Sequence, residues 1–213
     1  MGLFSQGTCV LCGAPVKSMW AAKIAEGLLC KACCRKAGYF SRSRAKNKTL
    51  DNVRADMARM EAAAARQRAF EPTRTIGKHL AIDEHKQQWQ ILDGVTGKLI
   101  MSRVLDFSEI VSYELLEDGE TLAKGGLGRA LVGGALFGGV GAIVGGVTGK
   151  KSKNVINSMK IKITVRDMSN PVVYVSLISG KTKHNSLTHR LAQETAQEIL
   201  SLLELMQELA GNV

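Results

Sequence analysis

The sequence predicts an α+β chain in three parts, on three observations. Two Cys-x-x-Cys pairs lie near one end, a run over 49–70 is rich in Ala, Arg, Met and Glu, and apolar and polar residues alternate from Arg74 onward. The expected order is a small metal-stapled ribbon over 1–48, a helical connector over 49–71, and an antiparallel sheet over 72–213. A C-terminal helix closes that sheet, and a glycine-rich helical hairpin over 125–149 interrupts it. A length of 213 residues accommodates one ordinary domain and one small one. With 45% hydrophobic and 23% charged residues, the chain is neither disordered throughout nor a fibrous repeat.

The ribbon rests on Cys9, Cys12, Cys30 and Cys33, two Cys-x-x-Cys knuckles separated by 17 residues. Two residues between thiols let both sulfurs of a knuckle reach one ion, and two knuckles complete a tetrahedron, so the expected cofactor is zinc. Gly13 suits the tight knuckle turn, and KIAEGLLC reads as a hairpin turning at Glu26 and Gly27. Four protein ligands leave no open position, which makes the expected zinc structural. A disulfide framework fits less well, because the cysteine count of 5 is odd and MGLFSQG has no basic start, apolar run and cleavage site. The chain is therefore expected to be cytoplasmic. Cys34 is expected to point away from the ion, and Gly2 fails as a myristoylation site because Gln6 stands where Ser or Thr is wanted.

The start MGLF, the knuckle CVLCG and the segment EGLLCKACC, with the basic helix after them, resemble a small bacterial zinc-ribbon family known only as a domain of unknown function. The resemblance covers about residues 1–70, implies zinc at the same four cysteines, and brings no activity with it.

Formal charge is +10, and it is uneven. Residues 1–71 carry 13 Lys and Arg against 5 Asp and Glu, whereas residues 72–213 carry 16 against 14. A basic N-terminal third attracts polyanions, either nucleic acid or an anionic membrane face. In the connector, Thr49 can cap a helix in which Val53, Met57, Met60 and Ala64 share one side, while Arg54, Arg59, Arg66 and Arg68 decorate the remainder; Pro72 marks its end.

Alternation marks His79–Ile82, Gln88–Ile91, Ser112–Leu115 and, most clearly, Lys160–Arg166 as strands. Asp93-Gly94, Asp118-Gly119, Asn170-Pro171 and Ser179-Gly180 read as turns. An amphipathic helix over 186–210 is expected to bury Leu191, Thr195, Ile199, Leu202, Met206 and Leu209, with Gly211 as its stop. Strands capped by one C-terminal helix, with the phrase LDFSEIVSYELLED, are similar to pleckstrin-homology-like domains. That resemblance implies protein or lipid binding.

The segment 125–149 holds 11 glycines and a single charge, Arg129. Gly134 and Gly138, then Gly141, Gly145 and Gly149, recur four apart, a glycine-zipper spacing that brings one backbone close to another. A hairpin with arms of about 15 Å would reach halfway into a bilayer. Lys124, Arg129, Lys150, Lys151 and Lys153 would sit at its base, facing lipid phosphates. The expected partners of 125–149 are a membrane surface, giving peripheral association at the inner face, or a second copy of the chain. An unidentified protein partner is also expected.

No catalytic constellation emerges. Gly180-Lys181-Thr182 imitates a phosphate-loop ending, but Val175 stands where its first glycine belongs. His79 and His85 flank Asp83 and Glu84, a cluster that could bind metal but reads as a solvated hairpin end, and His184 and His189 show no carboxylate partner. The sequence thus favours a non-enzymatic adaptor or scaffold. The alternative is a nucleic-acid-binding regulator using the basic ribbon and helix.

Overall fold

The computed structural model describes residues 6–17, 19–92, 103–126, 129–133 and 154–211. The chain divides into two compact units, Met1–Ala69 and Phe70–Val213.

In the first unit, β1 (Gln6–Thr8) pairs antiparallel with β2 (Pro15–Lys17), and β3 (Ala22–Ile24) with β4 (Gly27–Leu29). Ile24 opposes Gly27, so the hairpin turns at Ala25 and Glu26, one residue earlier than the sequence suggested. Then come α1 (Lys31–Lys36), a 3-10 turn over Arg42–Ala45, and α2 (Leu50–Ala69). Thr49 Oγ1 accepts from the backbone N–H of Asn52 at 3.2 Å, and Asn52 Oδ1 accepts from that of Thr49 at 3.1 Å. This reciprocal cap satisfies two amides that the helix itself leaves unbonded. Glu26 Oε2 accepts a third, from Leu50, at 2.9 Å. Val53 is buried and Met57 and Met60 are partly so, but Ala64 is exposed. Within its own unit, α2 therefore packs through its first three turns only.

Among the described residues, the second unit holds two antiparallel sheets. Strands β5 (Arg74–Ile76), β6 (Leu80–Asp83), β7 (Gln88–Ile91) and β8 (Leu105–Asp106) form one in that order. Strands β9 (Ile110–Glu117), β10 (Glu120–Gly126), β11 (Arg129–Gly133), β12 (Val155–Val165) and β13 (Val172–Lys183) form the other, in the order β11-β10-β9-β12-β13. The alternation of β12 is realised: Met159, Ile161, Ile163 and Val165 are buried among Trp89, Tyr113, Leu115, Ile199 and Leu203. Each such side chain contributes roughly 1.5–3 kcal/mol when fully buried. Asp118 and Gly119 make the β9–β10 turn with φ of 47° and 87°, the doubly positive backbone that matches strand twist. Asp118 Oδ1 also accepts from the backbone N–H groups of Asn157 and Ser158 at 2.8 and 3.0 Å, tying the turn to β12.

The structure departs from sequence expectation at three places here. Ser179-Gly180 lies inside β13, not at a turn. Ser158 opposes Ser179 and Ile156 opposes Thr182, so the extra residue is absorbed as a bulge. The C-terminal helix α3 (Leu187–Gly211) buries Ile199 and Met206 of the expected stripe, with Leu202 partly buried against the core, but it is rotated so that His189, Ala192, Ala196, Leu200 and Leu203 are buried beside them while Leu191 and Leu209 are 52% and 43% exposed. Leucines on both faces make the apolar stripe ambiguous in phase, and small Ala192 and Ala196 allow close approach to the sheet. Gly211 is the last residue of the helix, not its stop.

The third departure concerns the glycine-rich segment, whose first residues are strand and not helix. Gly125 and Gly126 end β10, and Arg129–Gly133 pair back upon it as β11. A Cβ on Gly125 would stand 2.5 Å from the Tyr113 ring, so glycine is required where β10 crosses that aromatic. Gly134, Gly138, Gly141, Gly145 and Gly149, and the Asp93-Gly94 turn, lie outside the described residues. Among the described residues, no helix is long and apolar enough to cross a membrane.

Candidate metal centre

The first knuckle turns between β1 and β2. Gly13 adopts φ of 72°, where a side chain would be strained, and donates its N–H to Cys9 O at 2.8 Å. The second knuckle follows β4 and runs into α1: Cys30 caps that helix, its sulfur accepting from the Cys33 N–H at 3.4 Å. The two knuckles meet through a parallel bridge between Cys9 and Leu28 and through the Cys30 N–H, which donates to Cys9 Sγ at 3.4 Å.

The sulfurs of Cys9, Cys12, Cys30 and Cys33 all lie within 4.8 Å of one another and could hold a metal ion. Cys12 Sγ and Cys30 Sγ are 3.7 Å apart, and none of the cysteines is in a disulfide. A bonded pair would need about 2.05 Å. A tetrahedral thiolate site with bonds near 2.3 Å has edges of about 3.8 Å, so the spacing across the knuckles fits such a site. Cys9, Cys30 and Cys33 are buried and Cys12 is exposed.

Electrostatics point the same way. Burial pushes the Cys9 thiol up, but the backbone amides of Cys30, Cys12 and Leu11 outweigh it and bring its pKa down to about 6. Burial and the neighbouring sulfurs push the Cys33 thiol well above its ordinary range. One sulfur is prepared as an anion, and its charge then disfavours ionising another. A cation between them removes that conflict. Cys34 is buried, its thiol 4.0 Å from Leu29 O and held above its usual pKa mainly by burial. It is outside the four-sulfur group.

Tyr39 fastens this core to α2. Its hydroxyl donates to Asp56 Oδ2 at 2.5 Å, and Asp56 also meets Lys48 at 3.1 Å and Arg59 at 2.8 Å.

Among the described residues a second group, Glu117, His184 and His189, also brings potential ligands within 4.8 Å. His189 therefore has the carboxylate partner that the sequence did not reveal: its Nε2 lies 3.1 Å from Glu117 Oε2 on β9, 72 residues away in sequence. Its Nδ1 accepts the Asn185 N–H at 3.2 Å, which places the ring proton on Nε2, toward Glu117. The fully buried ring thereby fastens α3 to β9. Asp83 also differs from expectation. It is 1% exposed, accepts from the backbone N–H groups of Glu71 and Lys86 at 3.1 and 3.0 Å, and is no solvated hairpin end.

Comparison with known proteins supplies the family context. Residues 68–179 match the family model described as "Glycine zipper containing PH domain", and residues 8–56 match "Domain of unknown function (DUF4428)". A protein named "Immunity protein" from Bacillus phage SPbeta is 31% identical over 75 residues, which is 35% of this chain and 37% of that protein. The "SPbeta prophage-derived uncharacterized membrane protein YomJ" of Bacillus subtilis (strain 168) is 31% identical over 75 residues, 35% of this chain and 33% of its own length. The chain thus spans about a third of the curated relatives it matches. No solved structure matches.

Proposed function

This chain belongs to the family of glycine zipper containing PH domains, and from that premise we propose a non-enzymatic adaptor or scaffold. Its first unit is stapled by one structural zinc ion, and its second docks at a membrane surface or onto a second copy through 134–149. Cys9, Cys12, Cys30 and Cys33 would hold the zinc, which supplies a cross-link between the two knuckles. A unit of fewer than about 70 residues rarely holds together on its apolar core alone, and this core holds four cysteines and three alanines beside Ile24, Leu29, Tyr39 and Val53.

One observation carries the docking reading: the family match is to a domain defined by its glycine zipper, and the zipper glycines follow directly on β11 at the edge of the five-stranded sheet. That the relative from Bacillus subtilis is called a membrane protein supports lipid as the first partner to test. Flotation of the full chain with phosphatidylglycerol vesicles, beside a 134–149 deletion that spares β11, is the experiment. Full-length protein is expected to rise with the vesicles, or to exceed monomer mass by light scattering without them, and the deletion to do neither. Equal behaviour of the two proteins in both assays contradicts the proposal.

The cation excess of residues 1–69, 13 Lys and Arg against 4 Asp and Glu, favours nucleic-acid binding as a second reading.

A further inference from the structure

An open cleft of about 590 Å³ lies in the first unit, away from the four sulfurs, between β3 and the 3-10 turn over Arg42–Ala45. Lys23, Arg42 and Lys46 line it together with Ser43 and Asn47. All five are exposed, and Asn47 is held in the left-handed region at φ of 64°. Arg42 Nη1 donates to Met19 O at 2.6 Å, which fixes one side of its guanidinium and leaves the other N–H groups free to meet an acceptor.

The unit's acids are largely spent elsewhere. Glu26 accepts from the Leu50 amide, Asp51 meets Arg54, and Asp56 is shared by Tyr39, Lys48 and Arg59. Lys23 and Lys46 form no ion pair with any described residue. A cleft with three cations, a hydroxyl and an amide is complementary to phosphate oxygens.

Two large exposed aromatics lie close in sequence to residues that line it. Trp20 precedes the lining residue Ala21 and is 71% exposed; Phe40 lies two residues before Arg42 and is 69% exposed. Exposed rings beside backbone-tracking cations are what unpaired bases stack upon. A duplex, whose bases are already stacked, would leave the rings unused. A membrane would be served by cations ringing a protruding apolar tip, whereas here they line a recess together with Ser43, Asn47, Ala21, Ile24 and Ala25.

We propose that this cleft binds single-stranded nucleic acid, with phosphates on Lys23, Arg42 and Lys46 and bases stacked on Trp20 and Phe40. The inference is independent of the docking role of residues 134–149.

The two tryptophans make the test direct. Trp89 is fully buried, its indole N–H donating to Asp106 O at 3.2 Å, so changes in emission report Trp20. Reduced full-length protein is titrated with an oligothymidylate of about 12 nucleotides, with the duplex form and with phosphatidylglycerol vesicles. Saturable quenching by the single strand is expected. Its affinity should fall about 20-fold between about 50 and 200 mM salt for three phosphate contacts. The exposed pair Lys23→Glu and Lys46→Glu should cost at least tenfold and flatten that salt dependence. Phe40→Ala, read by oligonucleotide anisotropy, should cost about five- to a hundredfold at every salt concentration. Absence of quenching, equal affinity for duplex, indifference to the lysine substitutions, or a blue shift with vesicles and none of the quenching with oligonucleotide would each overturn the proposal. The last result would assign the cleft to a membrane.

Discussion

Asp83 and Tyr113 are buried polar groups with opposite fates. Burial would raise the pKa of Asp83, but the amides of Glu71 and Lys86 and the Lys86 ammonium at 3.5 Å hold it below the ordinary carboxylate range. Because the folded value is depressed, its stabilisation is full above the unfolded value near 3.9 and is lost as pH falls through the folded one. Asp83→Asn should therefore cost about 1–2 kcal/mol at neutral pH in urea unfolding, with a smaller cost as the medium is acidified toward pH 3. Tyr113 has a buried hydroxyl without a partner among the described residues. Tyr113→Phe should leave the melting temperature unchanged or raise it. Gly125→Ala, whose Cβ meets the same ring, should destabilise by about 1–3 kcal/mol and should be partly rescued by Tyr113→Leu in a double-mutant cycle. None of these relations was legible in the sequence. Asp83 reads there as a turn acid and Gly125 as one more glycine of a low-complexity run, because the amides and the ring they meet come from other segments.

Among the elements, α2 and α3 show what periodicity conveys and what it leaves open. Thr49 was legible as a cap because a cap is local, and Thr49→Ala should cost about 1 kcal/mol. The face of α3 was only partly so, since the stripe through Ile199 and Met206 could extend to Leu191 and Leu209 on one side or to Ala192, Ala196 and Leu203 on the other. The sheet decides between them: Gln207 Nε2 donates to Ile110 O and Val111 O at 3.0 and 3.3 Å, and His189 is fastened to Glu117, which fixes the rotation. Leu203→Ala should lower stability by about 2–5 kcal/mol, while Leu191→Glu should change it by less than about 0.5 kcal/mol, both by thermal denaturation. The four cysteines were legible for the opposite reason. Their spacing is itself the geometry of two knuckles, and only the hairpin between them had to fold as read. The cationic cleft needed residues 21–25 and 42–47 side by side, a juxtaposition tied by the Ala25 N–H to Lys48 O bond and the Arg42 to Met19 bond and unmarked in the sequence.

At the scale of the whole molecule, the two units differ in what fills their interiors. Residues 70–211 bury a continuous apolar core of Trp89, Tyr113, Ile161, Ile163, Ile199 and Leu203, sufficient for a fold of that size. Residues 6–69 gather their knuckles around four sulfurs that could hold a metal ion. The proposed scaffold rests on this division, with a metal expected to organise the first unit and hydrocarbon organising the second. The most direct test is hydrogen exchange measured by mass spectrometry on the reduced full-length protein, before and after removal of zinc by a strong chelator. The account predicts loss of amide protection across β3, β4, α1 and the start of α2, with protection in β9, β12, β13 and α3 retained. Unchanged protection of the first unit after chelation would contradict it.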